Sequence, residues 1–350
     1  MKELVSGNEA IFQGAIRAGA TYFAGYPITP ASEILQQAAA RAEEDPGFRF
    51  LQAEDEIAAA IATISASLAG AKSFTATSGP GFSLMQEALG WGHAVEAPCI
   101  FVNSMRVGPS TGMPTQPAQS DLLQIKGGSA GDYYPIAFYP NSVEESFRLT
   151  VTAFNAAEES LSPVILLADA FLSHLYEMAD LDAIEVEVVP RTKEPLGRGQ
   201  RLFTGTAHDR MGNVKTNDPE AYQDWLNDLK ERHLQVADKY PLFEYFPGKD
   251  PDTLLIAFGI TSRIVAPLKE RFSIFRPIRI YPVLERELKK VTQPYRHIIV
   301  IEGNDGQYAS WTEWAIGRKV IKVPCLGGGF KLQWIRSQIE ERLKIPFLSP

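Results

Sequence analysis

Three polar side chains stand where a fold could aim them at a ligand: Thr29, Glu56 and Arg106. Thr29 lies in GYPITPASE, Gly25–Glu33. Pro27 and Pro30 fix their own φ angles and push the preceding residues towards extended geometry, so the segment is a stiff turn holding one hydroxyl in place. Glu56 stands at the head of the Ala- and Ser-rich stretch Ile57–Ala71. A carboxylate there is favoured by the helix dipole alone, and Glu54 or Asp55 could serve as cap instead. The alternative is a carboxylate aimed into a small-residue interface, ready to hydrogen-bond a ligand nitrogen. Arg106 lies just past the apolar run Cys99–Ser104 and enters a loop of prolines and glycines. Both an ordinary salt bridge and a carboxylate clamp are open to it. Ser78–Gly81, SGPG, has no following lysine or GK[ST], so it reads as a tight turn that brings backbone close to a ligand or partner.

Other chemistries find no support. His93, His174, His208, His233 and His297 show no metal-ligand spacing, and neither HExxH nor GxSxG occurs. No GxGxxG follows the first strand, which argues against an ordinary nicotinamide domain. Cys99 and Cys325 are the only cysteines, too few for an iron–sulfur cluster or a disulfide framework. Both sit in strand-like apolar runs and are expected to be buried thiols. The net charge of −8 disfavours a nucleic-acid or anionic-membrane surface as main partner. The N-terminal MKELVSGNEA lacks a signal peptide's apolar core, and no run is long enough to span a bilayer. A reducing cytoplasm is the expected location.

The elements that must position these residues alternate. Helical spacing over Asn8–Ala18 leads to a strand at Thr21–Ala24, a helix at Glu33–Arg41 and a strand at Phe48–Leu51. After the Ala-rich helix come a strand at Phe74–Thr77, a helix at Phe82–Ala94 and the strand Cys99–Ser104. Short connections in this order predict a parallel sheet wrapped by helices. Arg106–Asp121 carries three prolines and two glycines and reads as an ordered loop. A helix at Val143–Ser160 and a buried strand at Pro163–Ala168 follow. The stretch Asp180–Arg201 reads as a crossing between domains, followed by a polar loop, GTAHDRMGN, and a charged helix near Ala221–Lys239. A second alternating pattern has strands at Thr253–Gly259, Ile278–Pro282 and His297–Glu302, with helices near Ile264–Arg271 and after Gly306. Gly327–Gly329 reads as a loop. The expectation is two α/β domains: residues 1–180, a linker with a helix over 181–250, and a smaller domain over 251–350.

Set together, GNEAIFQGAIRAG, YPITPASEI, TATSGPGFSLMQE, RVGPSTGMPTQPAQSDL and IEGNDGQ resemble the α subunits of 2-oxoacid:ferredoxin oxidoreductases, closest to the 2-oxoglutarate type. The segment GGSAGD, 127–132, departs from the family by lacking a histidine. The resemblance implies a thiamine-diphosphate pyrimidine-binding domain followed by a transketolase-C-terminal-like domain. It implies CoA-dependent oxidative decarboxylation of a 2-oxoacid, with electrons passing to ferredoxin, and reversal as a carboxylation. A β subunit would bring the diphosphate site, its Mg2+ and the [4Fe-4S] cluster, since this chain has no GDG followed by a downstream Asn and lacks the cluster cysteines. Separate γ and δ chains are possible companions. By resemblance, Glu56 hydrogen-bonds the aminopyrimidine ring nitrogen, with Pro27, Ile28, Ser78 and Gly79 beside the cofactor. Arg106 pairs with the 2-oxoacid carboxylate, and Thr29 and Thr115 are further substrate contacts. A silent scaffold subunit has no need of Thr29, Glu56 and Arg106 together, and a self-sufficient thiamine enzyme would need the missing magnesium motif.

Overall fold

The computed structural model describes residues 2–198, 204–209 and 211–344. Parts of the stretches read as Asp180–Arg201 and GTAHDRMGN, and the last residues of 251–350, therefore lie outside the described residues. The chain opens with β1 (Glu3–Ser6), α1 (Gly7–Arg17), β2 (Tyr22–Gly25), α2 (Ser32–Glu44), β3 (Arg49–Gln52) and α3 (Glu56–Leu68). Next come β4 (Ser73–Thr77), α4 (Gly79–Leu84), α5 (Gln86–Ala94), β5 (Cys99–Val107), β6 (Met113–Pro117) and α6 (Leu122–Gly127). They lead to β7 (Ile136–Phe138), α7 (Val143–Ser160), β8 (Val164–Asp169), α8 (Ala170–His174) and β9 (Tyr176–Ala179). The long α9 (Pro219–Lys239) precedes β10 (Phe243–Phe246), β11 (Thr253–Ala257), α10 (Gly259–Val265), β12 (Ser273–Pro277), β13 (Arg279–Tyr281) and α11 (Glu285–Thr292). Finally come β14 (His297–Glu302), α12 (Gln307–Ile316), β15 (Ile321–Pro324) and α13 (Leu332–Leu343).

Two main sheets organise these elements. The larger runs β13-β7-β8-β5-β4-β2-β3, with β6 paired to the end of β5. From β7 to β3 its pairings are parallel. β8 reads VILLAD and is buried at every position, as expected of a strand covered on both faces. The second sheet runs β10-β12-β11-β14-β15, parallel except for β10. One apolar core joins the two: Ile165 and Leu167 of β8 pack in the same cluster as Leu254, Ile256 and Phe275. No described helix is both long and apolar enough to cross a membrane.

Four details differ from the sequence reading. SGPG is no isolated turn: Gly79 to Gly81 are the first residues of α4, with Ser78 at the N-cap. The helix read as Phe82–Ala94 is two short helices separated at Met85. The loop after Arg106 contains β6, which folds back on β5. The strand read at Ile278–Pro282 is β13, and it pairs antiparallel with β7 of the larger sheet rather than with its sequence neighbours. That choice is tertiary, because a short strand of alternating type carries no mark of which sheet it will join.

Candidate functional site

Glu56 is the first residue of α3, and it does not cap that helix. Asp55 occupies the N-cap position, and its Oδ1 accepts the Ala58 N–H at 2.7 Å. The Glu56 side chain is buried, and with the capping done by its neighbour its carboxylate is free for other work. It reaches across to α4. A Cβ placed on Gly81 would stand 2.6 Å from Glu56 Oε1 and closer still to Thr77 Oγ1. Only glycine leaves this space, which explains why the SGPG segment carries glycine at its last position. Beside it, the buried Ser78 hydroxyl has no hydrogen-bond partner among the described residues.

Arg106, near the end of β5, is also buried. Its Nη1 donates to the backbone carbonyl of Thr29 at 2.7 Å. The next residue of the same turn is held from the other side, where Asn8 Nδ2 donates to the Pro30 carbonyl at 2.8 Å. Asn8 also bonds Glu33, whose carboxylate lies 3.2 Å from His174 Nδ1. The GYPITP turn, with a cis Thr29–Pro30 bond, is therefore clamped through its carbonyls, and Thr29 itself is exposed. Burial lowers the Arg106 pKa, and the negative charges of Asp121 and Glu56 act against that shift. The guanidinium stays charged and retains donors beyond the one given to Thr29; its buried Nε has no partner among the described residues.

Beyond Arg106 opens a cleft of about 680 Å³, lined among others by Gly79, Pro80, Arg106, Asp121, Asn304 and Gln307. Its walls come from both sheets. The seam is held by Gln119, whose Nε2 donates to the Phe258 carbonyl at 2.7 Å and whose Oε1 accepts the Gly303 N–H at 2.8 Å. Asn304 Nδ2 returns a bond to the Gln119 carbonyl at 2.6 Å. Asp121 lies almost wholly out of solvent, and burial pushes its carboxyl up to about 6 even though the Asn103 amide and Arg106 pull it down.

The structure thus brings Arg106, Thr29 and Gly79 to one region, with Glu56 and Ser78 at the adjoining α3–α4 junction. Ile28 is half-buried and Pro27 exposed in the clamped turn. Thr115 lies on β6, exposed, outside the residues lining the cleft. The sequence reading did not single out Asn8, Asn103, Gln119, Asp121, Asn304 or Gln307. Their signal was present only as membership of the segments GNEA, CIFVNS, AQSD and GNDGQ, since an isolated polar side chain shows nothing of what it will bond across the fold.

A carboxylate at a helix head, relieved of capping and facing a glycine, suits an aminopyrimidine ring that needs an acceptor or a shared proton. The unpartnered Ser78 hydroxyl next to it suits a polar ligand edge, so the residues present fit the pyrimidine end of thiamine diphosphate. Among the described residues no group of three or more His, Cys, Asp or Glu side chains could hold a metal ion.

Residues 13–243 match the family model for the thiamine-diphosphate-binding region of pyruvate flavodoxin/ferredoxin oxidoreductases. The chain belongs to this family. It is 37% identical to the 2-oxoglutarate synthase subunit KorA of Methanothermobacter marburgensis, covering 87% of this chain and 88% of the relative. It is 34% identical to the ketoisovalerate oxidoreductase subunit VorB of the same organism, over 97% of each. Among solved structures it resembles the 2-oxoglutarate:ferredoxin oxidoreductase of Magnetococcus marinus with 2-oxoglutarate, coenzyme A and succinyl-CoA bound, at a TM-score of 0.90 and 28% identity. That match covers 98% of this chain and 65% of the other, so the chain spans about two thirds of that neighbour's length. Within the 2-oxoacid:ferredoxin oxidoreductases, it is an α-subunit type of chain, built as α/β with a parallel-sheet cofactor domain and a second sheet.

Proposed function

We propose that the chain is the α subunit of an enzyme that oxidatively decarboxylates a 2-oxoacid with coenzyme A, giving an acyl-CoA and carbon dioxide and passing electrons to ferredoxin. The observation that carries this reading is the buried Glu56 carboxylate, released from capping by Asp55 and lying against Gly81. Thiamine diphosphate, when bound, supplies the carbanion chemistry that splits the 2-oxoacid. Glu56 accepts or shares a proton at the pyrimidine ring nitrogen, and its burial in a small-residue wall strengthens that bond. Arg106 binds the 2-oxoacid carboxylate with the donors it does not give to Thr29, and the clamped turn presents the Thr29 hydroxyl to the same substrate. Thr115 is a more distant substrate contact. Ser78 and Gly79, with Pro27 and Ile28, form the rim on the cofactor side.

The reading requires a β partner supplying the diphosphate site, Mg2+ and the [4Fe-4S] cluster, and it allows γ or δ chains. Cytoplasmic assembly follows from such clusters. 2-Oxoglutarate is the first candidate substrate, supported by the KorA likeness. The VorB likeness supports a branched-chain 2-oxoacid as the second. Co-expression with the β partner under anoxic conditions, followed by a panel of 2-oxoacids assayed for CoA-dependent reduction of a low-potential acceptor, tests both. Highest kcat/KM with 2-oxoglutarate is the expected result. Assembly without turnover on any 2-oxoacid would favour a scaffold role instead.

A further inference from the structure

Asp121 occupies the N-cap position of α6, yet its side chain makes no capping bond. Aspartate is among the strongest capping residues, so a bypassed one calls for a cause. The cap comes from the other sheet's side of the seam. Gln307 Oε1 accepts the N–H groups of Leu122 and Leu123 at 3.0 and 3.2 Å. Gln307 is itself fixed, donating from Nε2 to the Ser120 carbonyl at 2.6 Å and from its backbone N–H to Asn304 Oδ1 at 2.7 Å. The Asp121 carboxyl is thereby turned into the cleft wall. Its Oδ2 accepts from Asn103 Nδ2 at 3.0 Å, and both oxygens face Gly79, where a Cβ would lie 3.5 and 3.7 Å away. Oδ1 receives no hydrogen bond from any described residue, although Asp121 is only 7% exposed.

The groups around this carboxyl come from several elements. Arg106 approaches from β5 and the phenol of Tyr139 from just past β7, and Asp305 lines the same cleft from the turn before α12. The only cation among them is Arg106, which Glu56 also faces. An ionised Asp121 would compete with a substrate carboxylate for Arg106 and repel it, whereas a protonated one would offer that carboxylate a donor. Two carboxyl groups sharing one proton is a stable arrangement in a poorly solvated site.

We propose that Asp121 is a substrate-binding residue which, carrying its proton, donates from Oδ1 to the 2-oxoacid carboxylate held by Arg106, and that Gln307 keeps it available by capping α6 in its place. The proposal rests on the reading of Arg106 as the 2-oxoacid clamp. It makes substrate binding sensitive to pH: as the carboxyl ionises, the donor is lost and affinity falls. The raised pKa of about 6 puts this transition in an accessible range.

The test uses the assembled αβ complex with 2-oxoglutarate as probe, measuring both apparent KM and calorimetric Kd from about pH 5.5 to 8.5. In the wild type, both should rise by about tenfold per pH unit above the transition. Asp121→Asn keeps a donor that cannot ionise and should flatten this rise. Gln307→Ala leaves the α6 N–H groups for Asp121 to cap, which favours its ionised form and should move the transition to lower pH with a smaller effect on kcat. This shift keeps the proposal testable should Asp121→Asn fail to fold. A pH-independent wild-type Kd, a rise unchanged in Asp121→Asn, or a transition unmoved in Gln307→Ala would each overturn it. Calorimetry separates the two readings. A pH-dependent Kd without turnover would refute the proposed activity while leaving the Asp121 assignment standing.

Discussion

The Glu56 carboxylate occupies the space that a side chain at residue 81 would fill, with its Oε1 2.6 Å from where a Cβ on Gly81 would stand. The two residues belong to different helices, α3 and α4, and their contact defines the junction at which the cofactor's pyrimidine end is proposed to sit. Gly81→Ala should displace Glu56 or push α4 away from it. We expect turnover to drop at least tenfold, with a stability loss of about 1–3 kcal/mol from overpacking. Activity assays on the assembled complex and denaturant unfolding of the variant check both; a fully active Gly81→Ala complex would contradict the assignment.

Arg106 has two tasks, holding the Thr29 carbonyl and binding a carboxylate, and truncation removes both. Arg106→Ala should chiefly raise the apparent KM for the 2-oxoacid, by an amount consistent with a lost charged hydrogen bond of roughly 1.5–3 kcal/mol. Steady-state kinetics on the complex give the KM and kcat separately. A variant losing kcat alone, at unchanged KM, would remove Arg106 from the substrate side.

Gln119 joins the two sheets with one side chain, bonding the Phe258 carbonyl and the Gly303 N–H in a fully buried position. Gln119→Leu would leave both backbone groups without partners, at about 1–3 kcal/mol for each buried orphan. The melting temperature should fall by several degrees. An unchanged melting curve would mean that the seam does not depend on these bonds.

Stability should also respond to two buried imidazoles. His93 and His233 lie with ring centroids 5.5 Å apart, and burial lowers both pKa values, to about 4 and about 3. Both are neutral in the native state, while the unfolded chain takes up protons as pH falls below about 6.5. Their contribution to stability is therefore lost on acidification from about pH 6.5 downwards, on the order of 1.4 kcal/mol per pH unit for each. Asp121 and Glu302, raised by burial to about 6 and about 7, act in the opposite sense over the same range, because the native state takes up their protons first. The difference between proteins is then the informative quantity. His233→Gln should lose less stability than the wild type between about pH 6.5 and 4, measured by urea midpoints. Equal pH slopes would show that His233 is not held neutral.

Much of this fold could be read from local pattern. The strands Phe74–Thr77 and His297–Glu302 and the helix Val143–Ser160 lie where periodicity and apolar runs put them, because burial on both faces or one stripe leaves a direct trace in sequence. What could not be read is where such pieces dock. β13 looks like a member of the second sheet and adds to the first. The helix break at Met85 carries no proline or glycine at the break to announce it. The site shows the same division. Thr29, Glu56 and Arg106 stood out because prolines, an Ala-rich helix and a buried strand surround them. Asp121 reads from sequence only as the last residue of the loop Arg106–Asp121, and only the presence of Gln307, nearly two hundred residues away, makes it available to the cleft. Asn8 and Gln119 likewise act through partners that local sequence cannot name.

The central claim is that Glu56 serves the cofactor rather than its own helix, and Glu56→Gln in the assembled αβ complex tests it most directly. The substitution keeps the shape and leaves the Asp55 cap untouched, so assembly and thiamine diphosphate content should survive. CoA-dependent acceptor reduction with 2-oxoglutarate should fall to background. Turnover at the wild-type rate by a complex that retains its cofactor would contradict the account.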